Sequence, residues 1–235
     1  MSTESLSQGA RARARAEITR TIQETARRHL AEVGPAALSL RAIARDVGMV
    51  SSAVYRYFPS RDDLLTALIV EAYDEVGEQA ERADRACHRA DLGGRFGAVC
   101  RAVRDWALTH PHEYALLYGS PVPGYQAPQT TVGPASRVPL VLLGIAADAQ
   151  RAGPAPIAPA VQVPDAERAA LSGIQVLLDE PINDSLLARC LQSWATLFGH
   201  VSLELFGHMH TAVLDYDAHF EHVVRQLVAD LGLDR

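Results

Sequence analysis

The residues best equipped for chemistry lie between Ser39 and Arg61, and they form neither a nucleophile–base pair nor a metal-binding set. They are Ser39, Arg41, Ser51, Ser52, Tyr55, Arg56, Tyr57 and Arg61, grouped around the small Ala53. A serine hydroxyl pairs with donors or acceptors alike. A guanidinium grips a guanine edge or a phosphate with two N–H groups, and a phenol hydroxyl reaches phosphate oxygens. Small side chains let a backbone come close to a flat, polar surface. This inventory suits recognition of bases and phosphates rather than the breaking of a bond. Elsewhere the chain has no glycine-rich phosphate loop, no Ser/His/Asp set on a strand-to-helix turn and no paired carboxylates on an apolar helix face, so an enzyme is not expected.

The surrounding sequence supplies elements that hold these groups outward. Ser39 can cap a helix whose Leu40, Ile43, Ala44 and Val47 share one face, and Gly48 can close that helix in the left-handed conformation. After Met49 and Val50 a second short helix is predicted over about Ser51 to Phe58. Its Val54 and Phe58 face inward, leaving Ser51, Ser52, Tyr55 and Arg56 on the wettable side. Pro59 ends it, and Ser60 with Asp63 opens a further helix through a capping box. Two short helices joined by a tight turn make a helix-turn-helix, which places the front of its second helix in the major groove of DNA. Ser51, Ser52 and Ala53 then approach base edges, Arg41 reads a guanine or holds phosphate, and Tyr55, Tyr57 and Arg61 contact phosphates.

The segments ARDVGM, YRYF and PSRDDLL resemble the DNA-binding domain of the tetracycline-repressor (TetR) family of transcriptional regulators, and the resemblance is close over residues 15 to 65. It implies an all-α chain with an N-terminal three-helix helix-turn-helix domain and a C-terminal helical ligand-binding and dimerisation domain, assembled as a two-fold dimer. It also implies DNA contact for Arg41, Ser51, Ser52, Ala53, Tyr55, Tyr57 and Arg61, and Ser39 and Arg56, from the same element, are counted with them as candidate DNA-binding residues. One departure stands out. Val50 occupies a position where the family usually has a Ser or Thr cap, so Ser51 could be drawn into capping instead. Residues 194 to 207, WATLFGHVSLELFG, resemble a family subset named for a Trp-His-Gly signature, with Phe198 where that His would stand. The implied function is a repressor released from a pseudo-palindromic operator by an unidentified small-molecule effector. An activator or a metal-responsive regulator of the same fold is the alternative. A ligand pocket implied by the resemblance would draw on Phe96, Val103, Trp106, Tyr114, Tyr118, Trp194 and Phe198, aromatic and branched side chains that otherwise read simply as core.

Charge is segregated in the way a DNA-binding head requires. The chain carries 22 basic and 28 acidic residues, a formal net charge of −6. Residues 1 to 60 nevertheless hold nine Arg against five acids, a net of +4, and the remainder is therefore −10. Every basic residue is arginine, a bias that resembles GC-rich coding rather than a physical demand. The three cysteines, Cys87, Cys100 and Cys190, are expected to be reduced, buried thiols in a cytoplasmic protein. No run of 18 uninterrupted apolar residues is present, so no membrane partner is expected.

Three divisions follow: a disordered arm over 1–13, a helix-turn-helix domain over 14–60, and a helical body over 61–235; Arg11, Arg13 and Arg15 at the arm either touch phosphate or the minor groove or belong to a solvated tail. In the body, helices are expected after Ser60 to about Cys87, ending near His110, over 112–118, over 138–151, over 165–178, after an Asp184 cap, and around Phe220 to Leu231. Pro- and Gly-rich loops are expected over 119–135 and 153–164. The broad apolar faces of the last two helices would complete a four-helix bundle with a second copy. His208, His210, His219 and His222 lie close in sequence, but with no Cys among them a metal site is not expected, and no cofactor is implied.

Overall fold

Ile22, Ala26 and Leu30, four residues apart, are almost fully buried along one face of the first helix. In this computed structural model that helix, α1, spans Thr3–Val33. The structure describes residues 3–153, 162–178 and 180–234. The expected arm is therefore corrected from Thr3 onward. The Ala and Arg residues at 10–16 are strong helix formers, and nothing in that run breaks the helix. Gly34, with φ 73°, stops α1, and its N–H closes on the Leu30 carbonyl at 3.0 Å. Among the described residues there is no strand. The chain divides into two compact units, residues 1–72 with 112–131, and residues 73–111 with 132–235. The boundary expected at 60/61 thus falls later, within α4 (Arg61–Ala86), and a downstream segment joins the first unit.

In the first unit, α2 (Leu40–Asp46) and α3 (Ser51–Val54) pack on α1 and on the front half of α4. Leu40, Ile43, Val54, Phe58, Leu64 and Leu65 are all buried, each worth roughly 1.5–3 kcal/mol when removed from water. Polar pins add direction to this apolar contact. Arg27 pairs with Glu71 of α4, which also accepts from Gln23 at 3.2 Å. Also here is α6 (Pro111–Tyr118), whose Tyr114 is fully buried. The loop that follows is tied back by Tyr125, its hydroxyl 2.9 Å from that of Thr66.

The second unit is built from the end of α4 with α5 (Leu92–Thr109), α7 (Val132–Arg151), α8 (Asp165–Gln175), α9 (Asp184–Leu205) and α10 (Tyr216–Asp230). Side-chain caps start three of them: Asp91 accepts from the Gly94 N–H at 2.8 Å, Asn183 from Ser185 at 2.9 Å and Asp215 from Ala218 at 2.9 Å. Asn183 rather than Asp184 is therefore the cap of α9. The helix expected from 138 begins six residues earlier. Pro134 lies in its first turn, where no N–H partner is lost, and Arg137 anchors the stretch by bonding Glu81 at 2.8 and 3.0 Å and Asp74 at 2.8 Å. Gly77 makes room, since a Cβ there would sit 2.7 Å from that of Arg137. The stretch 129–151 is apolar and long enough to cross a membrane by composition, yet its Arg137 and Asp148 are ion-paired within the unit, as in a core helix. The expected 153–164 loop lies mostly outside the described residues.

Candidate nucleic-acid interface

The four-residue helix α3 is held by its neighbours rather than by its own length. The Ser39 hydroxyl accepts from the Ala42 N–H at 3.5 Å, so α2 starts on the cap its sequence specifies. At its other end Gly48 takes φ 71°, and the Met49 N–H reaches the Ala44 carbonyl at 2.8 Å. That turn delivers Val50 as the residue before α3, 71% exposed and with no side-chain cap bond. Ser51 does not replace the missing cap. Among the described residues neither Ser51 nor Ser52 spends its hydroxyl internally, and both face solvent at the front of α3. Regular helix ends at Val54, shorter than the span to Phe58 read from the sequence, and residues 55–57 continue as turns. Val54 and Phe58 still bury as the spacing requires, which leaves Tyr55 and Arg56 exposed and Ala53 and Tyr57 half-buried.

Two arginines at the edges of this element are engaged by the protein itself. Arg15 of α1 donates to the Arg56 carbonyl at 3.0 Å and stacks its guanidinium 5.0 Å above the Tyr57 ring. Arg61 donates through Nη2 to the carbonyls of Pro35 (2.7 Å) and Ala36 (3.2 Å), while its buried Nε has no partner. Arg41 stays exposed. Leu38, Ser39, Leu40, Arg41, Tyr55 and Arg61 line a recess of about 260 Å³, in which two guanidiniums and two hydroxyls offer donors to an anion. A contact not read from the sequence braces α2 from behind. His29 Nε2 lies 2.6 Å from Asp46 Oδ2, a hydrogen bond that holds the Asp46 carboxyl below its usual range. Only the charges of the two residues hint at that pairing, and a separation of 17 positions hides it.

The residues expected to form a ligand pocket fall in both units. Phe96, Val103, Trp106 and Phe198 are buried and Trp194 is half-buried in the second unit, whereas Tyr114 and Tyr118 belong to the first. Trp194 and Phe198 meet as tilted rings at 5.7 Å and Tyr114 and Tyr118 at 5.0 Å, whereas Trp106 stacks on His110 at 5.4 Å. The indole N–H groups of Trp106 and Trp194 are buried without a hydrogen-bond partner. A groove of about 980 Å³ in the second unit is lined by none of the seven; α9 and α10 wall it, with Leu191, Gln192, Thr196, His222, Val223 and Gln226 among them, and Gln162, Val163, Pro164 and Glu167 close one side. Among the described residues no three His, Cys, Asp or Glu side chains converge on a metal position. The His219 ring lies tilted against that of His200, with centroids 5.2 Å apart. Burial pushes the Cys100 and Cys190 thiols up to about 12, which makes them poor nucleophiles.

Comparison with known proteins agrees with this geometry. Residues 22–68 match a family model described as bacterial regulatory proteins of the tetR family, and residues 96–227 match the tetracyclin repressor-like C-terminal domain. The chain is 42% identical over 234 residues to the HTH-type transcriptional regulator Rv1816 of Mycobacterium tuberculosis, covering 95% of this chain and 96% of that one. The same figures hold for the HTH-type transcriptional regulator Mb1846 of Mycobacterium bovis. Among solved structures, the regulatory protein SCO4313 superposes with a TM-score of 0.77 at 33% identity, covering 92% of this chain and 98% of that one. A Rhodococcus sp. RHA1 protein of unknown function superposes with a TM-score of 0.65 at 25% identity, covering 88% of this chain and 94% of that one. With a reading head built as above and family models matching both ends of the sequence, the chain belongs to the TetR family and is a DNA-binding transcriptional regulator.

Proposed function

We propose that the chain is a repressor that binds a pseudo-palindromic operator as a two-fold dimer and leaves it when a small molecule binds the second unit. The observation that carries the DNA half is the outward face of α3: two serines with unspent hydroxyls, small Ala53 behind them, and Tyr55 exposed one turn on. In this reading Ser51, Ser52 and Ala53 meet base edges, Arg41 and Tyr55 hold phosphates around the basic recess, and Ser39 and Arg61 keep that recess in shape. A single head makes few base contacts. Two heads related by symmetry read half-sites about 34–36 Å apart, or a multiple of that spacing.

The dimer half rests on the α9–α10 groove. A second copy supplying the same two helices would cover its mixed walls, seating against Leu191, Val223 and Leu227, and complete a four-helix bundle. The effector half is supported by the unpartnered indole N–H groups of Trp106 and Trp194, which an acceptor on a bound molecule would satisfy. Because α4 runs without a break from the first unit into the second, a ligand that prefers one setting of this helix would shift the spacing of the two heads. A tenfold loss of operator affinity needs only about 1.4 kcal/mol of such preference.

Fluorescence anisotropy on DNA flanking the protein's own gene, against random duplex at several salt concentrations, tests the reading. Specific binding that weakens in Arg41→Ala and Tyr55→Ala supports it, and binding no tighter than to random DNA refutes it. Leu191→Arg in the groove is expected to give monomers in sedimentation and to lower operator affinity with them. A dimer unaffected by that change would mean that the groove is not the interface.

A further inference from the structure

We propose that the front of α1 is a phosphate-gripping extension of the reading head, in which Arg11 and Arg15 present one face to the DNA backbone beside α3. The inference rests on the DNA-reading role of α3 proposed above. Residues 9–17 are all exposed, so no buried side chain explains why this stretch projects as helix from the head. An isolated helix of this length is marginal in water, and its tertiary anchors among the described residues are those of Arg15. They lead to the end of the reading element, the Arg56 carbonyl at 3.0 Å and the Tyr57 ring at 5.0 Å.

Helix geometry then places the next charge. Arg11 precedes Arg15 by four residues, so it lies on the same face about 6 Å farther along the axis. Arg13 is roughly 200° around the helix from Arg11 and faces the other way. Among the described residues Arg11 and Arg13 have no acidic partner, and Glu17 is the only acid from 9 to 20. A duplex strand that passes Tyr55 and Arg56 meets the Arg11–Arg15 face next, and phosphate is the partner of matching charge.

The test is a salt titration of binding by the full-length protein to a random-sequence duplex, with Arg11→Ala and Arg13→Ala compared to wild type. Alanine is the strongest helix former, so neither change unwinds α1, and far-UV circular dichroism checks this. The expected result is that Arg11→Ala reduces the slope of log K against log salt by about 0.9, whereas Arg13→Ala leaves it unchanged. Between 50 and 200 mM salt that difference amounts to about 3.5-fold in affinity. An unchanged slope for Arg11→Ala overturns the proposal. Equal losses for the two variants also overturn it, since they would describe a flexible charged tail rather than an ordered face. If wild type shows no salt-dependent binding at all, the failure belongs to the DNA-reading role itself.

Discussion

Replacing Arg95 by Met should cost about 2–3 kcal/mol of stability, for reasons that can be counted. Arg95 is 1% exposed and is held by three acceptors: Asp84 Oδ1 at 2.7 Å, Asp148 Oδ2 at 2.7 Å and the Arg89 carbonyl at 3.2 Å. Methionine fills the channel of the arginine stem but leaves those acceptors behind. Breaking a fully buried pair from one side costs about 3–5 kcal/mol. Here the penalty is smaller, because Arg89 still reaches both carboxylates, at 2.6 and 3.0 Å, and their side chains keep 14% and 24% exposure. For a chain of this size each kcal/mol lowers Tm by about 2–4 °C, so the expected fall is about 4–12 °C. Differential scanning calorimetry measures it. The Arg95→Met, Asp148→Asn cycle should show coupling of at least about 1 kcal/mol. A fall below about 2 °C, or strictly additive variants, would mean that hydrophobic replacement offsets the lost pairing and that this reasoning is wrong.

Two further outcomes follow from local geometry. Gly48→Ala puts a Cβ on a residue at φ 71°, which costs about 1–2 kcal/mol, so thermal denaturation should show a Tm lower by about 2–8 °C, with weaker operator binding as the angle between α2 and α3 relaxes. The hydrogen bonds from His29, Arg137 and Arg101 hold Asp46, Glu81 and Glu221 respectively below their usual values. A depressed carboxylate contributes stability that is complete above the unfolded value near 4 and is lost as pH falls through the lower folded value. Acid unfolding followed by circular dichroism should therefore begin below about pH 4, and Arg137→Met should flatten that limb by releasing Glu81.

The reading head is legible in the sequence because its geometry is local. The Ser39 cap, the Gly48 turn and the burial of Val54 and Phe58 each depend on residues within five positions of one another, and each forms as read. The expected arm is helical from Thr3 because the Ala–Arg run has high helix propensity and continues α1, and the contacts of Arg15 with Arg56 and Tyr57, 41 and 42 positions away, give no local signal in the sequence. The start of α7 was hidden by its prolines, since the anchor that offsets them, Arg137 on Asp74 and Glu81, is separated from its partners by 63 and 56 positions. The expected pocket residues are aromatic and branched, and such side chains signal burial without telling a packed wall from a lined cavity. The 980 Å³ groove escaped for the complementary reason: Gln192, Thr196 and Gln226 are polar residues on faces read as apolar.

The arginine bias acquires a physical reading once the contacts are known. Arg104 meets Glu204 with two hydrogen bonds, at 2.8 and 2.6 Å, reaches Asp217 at 2.7 Å and lies 4.9 Å above the Phe220 ring. Arg101 meets Glu221 with two bonds at 2.6 and 2.9 Å, and Arg137 spans Glu81 and Asp74. Each contact uses the flat fork of the guanidinium, which sets direction as well as charge. A lysine could satisfy one acceptor at a time and, at Arg104, would leave an oxygen of Glu204, 7% exposed, in a poorly hydrated place. The body thus spends part of its acidic excess on arginines that pin one helix to another. In the head, Arg11 and Arg13 keep their charge free of internal acids. Coding bias can account for arginine throughout the chain, but at Arg95, Arg104 and Arg137 the fold has come to depend on it.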